Sequence, residues 1–161
     1  IYVCWLIVLL GAELACNLSS TRAWRTRPLP RLLAMLGVLR IFQDRQRTGA
    51  TLRYRQLRRE GWPLPEEEWH EILAFLQRER LGCPTQGNAW VLCRDLNAYP
   101  LDRLLARSPW VLPALQSLPE ELPEGWYPAL REGLAELEQA REDIFHGNLG
   151  DWLSAGREER T

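Results

Sequence analysis

The residues that could do chemistry are few. His70 lies among Glu67, Glu68 and Glu71, a group that could hold a metal ion or make His70 a pH sensor. The alternative is an exposed helical position with acidic neighbours, because successive residues of a helix do not converge on one face. The other histidine, His146, precedes Gly-Asn and fits a helix end, where a cation suits the dipole. We therefore predict no catalytic, cofactor-binding or metal-binding residues, and an enzyme is not favoured.

Charge is divided along the chain, and the basic half holds the candidate binding residues. Residues 1–60 carry eleven Arg against three acids, and residues 61–161 carry nine Arg against eighteen acids. Such a division is typical of a protein with a membrane-facing or nucleic-acid-facing half. Two arginine groups stand out, one interpreted as membrane-surface residues and one as a lipid-facing or partner-facing surface. The first is Arg22, Arg25, Arg27 and Arg31, and the second is Arg53, Arg55, Arg58 and Arg59.

The apolar start of the chain predicts the end of a membrane-spanning helix. Residues 1–18 contain 15 apolar residues, slightly fewer than the roughly 20 that a span needs. We expect residues 1–21 to be the C-terminal part of a last transmembrane helix and residues 22–30 a basic juxtamembrane linker. Arginines that flank a span stay in the cytoplasm, which predicts that the C-terminal domain is cytoplasmic. The alternatives are a buried core helix, a secretory signal peptide, and a lipoprotein signal around Leu14-Ala15-Cys16.

Glu13 is the one acidic or basic residue within this apolar segment. A carboxylate inside a span is costly and usually faces a bundle interior or a water-filled path. That interpretation makes Glu13 an intramembrane functional acid. The alternative places it near the cytoplasmic interface, where it reaches water, and both interpretations stay open.

Downstream, apolar residues at helical spacing predict a domain over residues 31–107. The first helix should run from Arg31 to near Arg47, with Gly49 as its stop signal. A second should begin after Thr51, a suitable N-cap, and stop at Gly61. A third should open at Glu66 and end at Gly82. Its predicted buried face is Trp69, Ile72, Leu73, Leu76 and Leu81.

A β-hairpin is predicted next, because Gly87-Asn88 precedes the β-rich run 89–93. Helix, helix, turn, helix and two-stranded wing is the order of a winged helix-turn-helix. Cys83 and Cys93 could face each other across this hairpin, although a cytosolic location would keep them reduced. A short helix at 101–106 and a long one at 127–145 follow, so residues 108–161 are expected to be a helical C-terminal extension with a polar tail. The predicted fold class is mainly α.

The charges of the third helix argue against DNA binding. In a winged helix the N-terminal residues of this helix normally meet the bases, and here they include Glu66, Glu67 and Glu68. Carboxylates oppose phosphate neutralisation, the main source of affinity. The basic second helix could instead meet anionic lipid headgroups, at about 1 kcal/mol per arginine near the surface. It could also pair with the acidic third helix, or be a solvated face.

Three segments resemble the YihY/BrkB family of bacterial inner-membrane proteins: Trp5-Leu6-Ile7-Val8-Leu9-Leu10-Gly11-Ala12-Glu13, Leu36-Gly37-Val38-Leu39, and Trp90-Val91-Leu92-Cys93-Arg94-Asp95-Leu96 with Leu101-Asp102-Arg103-Leu104-Leu105. The resemblance implies the last membrane helix and the cytoplasmic C-terminal region of a polytopic protein of poorly defined activity. Glu13 matches the family's acidic position at the end of the span. The family was once labelled ribonuclease BN, but no catalytic residue can be carried over.

The leading hypothesis is therefore a fragment of a polytopic inner-membrane protein, related to transport or to the envelope. Its cytosolic domain would serve regulation or contact with a protein partner or a second copy, beside the lipid bilayer. One alternative is a membrane-tethered nucleic-acid-binding protein, although nucleic acid is not the favoured partner. The other is a tRNA-processing ribonuclease.

Overall fold

The computed structural model describes residues 28–154, which hold six α-helices and one two-stranded sheet. They are α1 (Arg31–Arg47), α2 (Tyr54–Arg59), α3 (Glu66–Arg78), β1 (Gly82–Thr85), β2 (Ala89–Leu92), α4 (Leu101–Arg107), α5 (Tyr127–Ile144) and α6 (Leu149–Ser154). The prediction of a mainly helical chain with a small hairpin is confirmed. Among these residues no helix combines the length and apolar character needed to cross a bilayer. The predicted span at 1–21 and residues 22–27 of the linker lie outside the described residues.

Helix α1 is the core helix of the domain, since nine of its 17 residues are buried. It begins directly after Pro30, whose carbonyl oxygen accepts the Ala34 N–H at 3.0 Å. It ends in a Schellman motif, in which Gly49 and Ala50 donate to Gln46 and Arg45 at 3.1 and 2.9 Å. Gly49 has a φ of +65°, so both predicted ends of this helix are confirmed.

Helix α2 begins later than the sequence predicts. Leu52 is not helical: it pairs with Trp90 of the hairpin, each N–H donating to the other carbonyl at 2.8 and 2.9 Å. Thr51 is therefore not the N-cap, and the Gln56 side chain instead accepts the Arg53 N–H at 2.9 Å. Full burial of Leu52 explains the difference, because a backbone that leaves water needs hydrogen bonds in the sheet. The predicted stop at Gly61 is confirmed by its φ of +87°.

Helix α3 ends before the predicted Gly82, which is instead the first residue of β1. The end is a second Schellman motif: Arg80 donates to Gln77 at 3.0 Å and Leu81 to Leu76 at 2.8 Å. Arg80 holds the left-handed position with a φ of +57°. The predicted buried face is confirmed, and Phe75 is buried in addition.

The hairpin forms where the sequence predicts it. β1 and β2 are antiparallel, with Gly82 opposite Leu92 and Thr85 opposite Ala89. Gly87 and Asn88 both have positive φ, +71° and +59°, a conformation that glycine and asparagine adopt most readily in tight hairpin turns. Together with Leu52, the hairpin closes the core beside α1 and α3.

Two compact units divide the chain, one ending at Leu122 and one beginning at Pro123. In the first unit, a turn capped by Asp95, whose side chain accepts the Asn97 N–H at 2.9 Å, leads into α4. The second unit contains α5 and α6. On the apolar face predicted for α5, Leu134 is buried but Leu137 and Ile144 are 49% and 61% exposed, so that face is only partly covered.

Candidate interaction surface

The arginines of α2 form an exposed basic surface. Positions 55, 58 and 59 lie three and four residues apart, which places them on one side of the helix, while Leu57 is buried on the other. Arg53 is exposed immediately before the helix. Within the part of the chain that the structure describes, none of these four guanidinium groups forms an ion pair. We call Arg53, Arg55, Arg58 and Arg59 the α2 basic surface.

The last turn of α1 adds positive charge to this region. It carries Arg45 and Arg47, and Arg45 Nη2 lies 3.0 Å from Glu60 Oε1 at the end of α2. This contact joins the two helix ends and neutralises only one arginine. The α2 basic surface therefore lies near the C-terminal end of α1.

Arg31, predicted to lie at the membrane surface, pairs with the acidic side of α3. Its Nε lies 3.7 Å from Glu68 Oε1, and its Nη1 donates to Glu71 Oε2. An ion pair with the acidic helix was one interpretation of the second basic group. In the structure this ion pair is formed by Arg31 instead. Arg31 lies at the opposite end of α1 from the α2 basic surface. The other predicted membrane-surface residues, Arg22, Arg25 and Arg27, and the intramembrane acid Glu13, lie outside the described residues.

The side chains of the acidic cluster around His70 do not converge on a common binding site. His70 is exposed, and its Nδ1 lies 2.7 Å from the carbonyl oxygen of Glu66 on its own helix. Over residues 28–154, no three His, Cys, Asp or Glu side chains are grouped to hold a metal ion. His146 Nδ1 lies 2.7 Å from the Asp143 carbonyl oxygen at the end of α5, a helix-end contact.

Sequence reasoning missed Glu79, the one charged residue among 28–154 that is buried. It is the C-cap of α3. Its Oε2 accepts a hydrogen bond from the Tyr99 hydroxyl at 2.9 Å and another from Arg107 Nη1 at 3.3 Å. These contacts fasten the segment after the hairpin to the end of α3. A signal was present, because a carboxylate at a helix C-terminus opposes the dipole and so needs a partner elsewhere.

The contacts of Glu79 also alter how it titrates. Burial by itself raises the pKa of Glu79, but the Tyr99 hydrogen bond and the Arg107 charge outweigh it, and the pKa lies below its ordinary value of 4.5. Burial, together with the hydrogen bond to Glu79, raises the pKa of Tyr99 above its ordinary value of 10.0. The pair is therefore held as a carboxylate and a neutral phenol.

Cys83 and Cys93 face each other across the hairpin, as predicted, and are joined by a disulfide with a Cα–Cα distance of 5.9 Å. This differs from the expectation of reduced thiols. The physical reason is the strand register, which brings the two Cα atoms within the range that a disulfide needs.

The known proteins that are similar in sequence to this chain are bacterial membrane proteins. They carry the name UPF0761 membrane protein. The relative from Azotobacter vinelandii is 55% identical over 152 residues, covering 94% of this chain and 37% of the relative. The relative from Pseudomonas aeruginosa strain LESB58 is 50% identical over 156 residues, covering 97% of this chain and 38% of the relative. The relative from Alcanivorax borkumensis is 34% identical over 150 residues, covering 90% of this chain and 33% of the relative.

The chain thus spans less than two fifths of the length of these relatives. Their names agree with the prediction of a membrane protein. No family model matches the chain. No solved structure matches it.

Proposed function

We propose that this chain is the C-terminal part of a polytopic bacterial inner-membrane protein of the YihY/BrkB family. Residues 31–107 form a cytosolic winged-helix-like domain that meets anionic lipid headgroups and regulates or connects the membrane part. The observation that carries the proposal is the α2 basic surface, four exposed arginines without an ion-pair partner in the described residues. The name shared by the relatives denotes the family also called YihY/BrkB, which supports the assignment.

The order of elements supports the winged-helix part of the proposal. Helix α1 is followed by the extended residue Leu52, then by α2, α3 and the hairpin. Leu52 pairs with β2 and so adds a third short strand position to the hairpin. A small sheet of this kind packed beside three helices is typical of the winged helix-turn-helix.

The charges favour lipid over nucleic acid as the partner. Glu66 and Glu67 are exposed at the start of α3, where a winged helix would enter the major groove. Carboxylates there would repel the phosphates on either side. The α2 basic surface has no such neighbours on its own helix.

The expected strength of lipid contact is modest. At about 1 kcal/mol per arginine, four residues contribute about 4 kcal/mol, which corresponds to a dissociation constant of about 1 mM for a free domain. A short tether supplies an effective concentration of the same order. The contact is therefore sufficient only for a domain that is already attached to the membrane.

The proposal also constrains how α1 lies. Its 17 residues span about 25 Å. Arg31, next to the linker, is at one end, and the α2 basic surface is near the other because Arg45 holds Glu60. For both ends to approach the headgroups, the axis of α1 must run roughly parallel to the bilayer.

The test uses residues 28–161 attached through an N-terminal tag to chelating lipid in vesicles. Hydrogen exchange of residues 53–60 is compared between phosphatidylglycerol and phosphatidylcholine vesicles. We expect slower exchange on the anionic vesicles, lost in high salt and lost in the Arg55→Gln/Arg58→Gln variant. A matched control, Arg103→Gln/Arg141→Gln, removes the same charge from other exposed positions and should behave like the parent chain. Equal exchange on the two vesicles contradicts lipid contact.

A second candidate function, a membrane-tethered nucleic-acid binder, is favoured by the same exposed arginines. The tethered fragment is therefore also titrated with duplex DNA and with tRNA. Tight binding that weakens steeply with salt, and that is lost in Arg55→Gln/Arg58→Gln, would select this candidate. Absence of binding at physiological salt would leave the lipid-facing domain.

A further inference from the structure

The disulfide of Cys83 and Cys93 has no part in the lipid-facing surface. Cys83 lies opposite Val91 in the strand register, whereas Cys93 follows the end of β2 and donates its N–H to the Leu81 carbonyl at 2.9 Å. The bond therefore crosses the hairpin diagonally at its open end. It joins the strand that leaves α3 to the segment that continues to Tyr99.

The hairpin does not depend on this bond. β1 and β2 are paired at four positions, and Leu52 bonds to Trp90 from the other side. Leu81, Ala89 and Leu92 anchor the strands by burial. The hairpin can therefore stay folded whether the two sulfurs are joined or not.

The closed loop is also short, with a sequence separation of 10. In the chain-entropy account a short loop gains least from a cross-link. The cross-link therefore adds only modestly to the stability of the fold. Ease of exchange depends instead on exposure, because exposed disulfides are the labile ones, and Cys93 is exposed.

Solvent access favours exchange at Cys93. Cys93 is exposed and Cys83 partly exposed, and thiol–disulfide exchange needs a sulfur that a small molecule can reach. The Cys93 Sγ lies 3.7 Å from the Arg80 carbonyl oxygen.

We propose that Cys83 and Cys93 form a reversible thiol–disulfide site that exchanges with low-molecular-weight thiols and disulfides of the glutathione class. The Cys93 thiolate attacks the small disulfide, forms a mixed disulfide and releases one small thiol. The Cys83 thiolate then attacks the Cys93 sulfur and releases the second. The protein loses two electrons and two thiol protons. The electrons and the protons are gained by the small disulfide, which becomes two small thiols. The biological role of this exchange rests on the proposed cytosolic location.

The experiment uses the full-length protein in detergent, with Cys4→Ser and Cys16→Ser so that only this pair of the present chain reacts. Any cysteine upstream of the chain is replaced in the same way. The protein is equilibrated with mixtures of reduced and oxidised glutathione, quenched with acid, alkylated and weighed by mass spectrometry. We expect a single two-electron transition within the range of glutathione mixtures found in cytosol. A pair that stays oxidised in excess reduced glutathione, or reduced in excess oxidised glutathione, would overturn the proposal.

Two matched variants test the order of attack. Cys83→Ser leaves Cys93 without its resolving partner and should accumulate one glutathione per chain. Cys93→Ser should acquire glutathione more slowly, because Cys83 is less exposed. The reverse order of rates would contradict the role given to Cys93.

Location is measured separately, by trypsin treatment of spheroplasts and of inverted membrane vesicles. Cleavage at the exposed arginines in inverted vesicles alone is expected for a cytosolic domain. Cleavage in spheroplasts would defeat the proposed function and the cytosolic role of the exchange. The glutathione titration would still decide whether the cysteine pair is reversible, so the two failures are distinguishable.

Discussion

Gly37 lies in the middle of α1, where the helix meets the ring of Trp62. A Cβ atom built on Gly37 would overlap the six-membered ring of the Trp62 indole. Trp62 is only 4% exposed, so the ring has little room to move. The absence of a side chain at position 37 is what lets the connector between α2 and α3 close over the core helix.

We expect Gly37→Ala to destabilise the domain. Overpacking of a filled core costs about 1–3 kcal/mol, and this exceeds the gain of up to about 1 kcal/mol that alanine brings to a helix. The matched control is Gly133→Ala in α5, where the added carbon meets nothing within 4 Å and a small gain in stability is expected. Chemical denaturation measures both, and equal or greater stability of Gly37→Ala would contradict the packing seen at Trp62.

Glu79 and Tyr99 make the second prediction at the scale of residues. Because the folded-state pKa of Glu79 is lowered, its ionisation stabilises the fold above the ordinary pKa of 4.5. That contribution is lost as the pH falls through the lowered value. Glu79→Gln should therefore be less stable than the parent near neutral pH, by about 1–2 kcal/mol for the lost charged hydrogen bonds. The difference in unfolding free energy between Glu79→Gln and the parent should become smaller at acidic pH.

Tyr99→Phe is the partner variant, and it removes the 2.9 Å hydrogen bond to Glu79 while keeping the ring. We expect a cost of about 1 kcal/mol, and less than additive loss when it is combined with Glu79→Gln. The unfolding free energies of the parent, the two single variants and the double variant are measured by chemical denaturation at several pH values. A gap that does not change between neutral and acidic pH would mean that Glu79 does not act through its charge.

At the scale of elements, the helix ends show where local rules hold. α1 and α3 both close with Schellman motifs, one with Gly49 and one with Arg80 in the left-handed position. Glycine adopts this conformation without strain, whereas other residues pay about 1–2 kcal/mol. Arg80 is tolerated because Leu81 and Leu76 on either side of the turn are fully buried and hold it closed.

Arg80→Gly should therefore stabilise the chain, by roughly 0.5–1 kcal/mol after the greater freedom of glycine in the unfolded state is subtracted. Arg80→Ala keeps a Cβ atom in the left-handed position and serves as the control, with little change expected. Thermal melting distinguishes the two. A loss of stability in Arg80→Gly would show that the arginine side chain, rather than its backbone conformation, matters here.

At the scale of the whole molecule, charge rather than shape separates the functional hypotheses. The first part of the sequence is basic and would be attracted to an anionic membrane surface, whereas the acidic remainder would be repelled by it. Among residues 28–154, the α2 basic surface together with the C-terminal end of α1 is the part best suited to anionic headgroups. Its contact with lipid should weaken with salt, since exposed charges are screened within about 10 Å at 0.1 M ionic strength.

The second unit presents a different surface. Ile144, Phe145, Leu149 and Leu153 are all more than 60% exposed. Apolar residues in such number on one short stretch are typical of an interface. The acidic residues Glu142 and Asp143 at the end of α5, and Asp151 of α6, make this stretch a poor match for an anionic bilayer. The proposed lipid contact is therefore placed at α2.

The sequence by itself determined the elements whose signals are local. Helix α1 with its Gly49 end, the buried face of α3, the Gly87-Asn88 hairpin and the bounds of α5 all follow from periodicity and from residues that permit a positive φ. These signals are strong because backbone geometry within a few residues decides them. Relatedness to membrane proteins was likewise predicted from the apolar start and the resemblance. Membrane insertion itself, the winged-helix assignment and the roles of Glu13 and the arginines remain predictions.

Tertiary structure alone decided the contacts between distant residues. Leu52 lies outside the helix because its backbone pairs with Trp90. Arg31 pairs with Glu68 and Glu71, which lie 37 and 40 residues further along the chain. Glu79 is buried because Tyr99 and Arg107 arrive from beyond the hairpin, and Cys93 reached Cys83 through the strand register. Each of these depends on which elements meet in space. That is set by burial of the whole core rather than by any pattern along the chain.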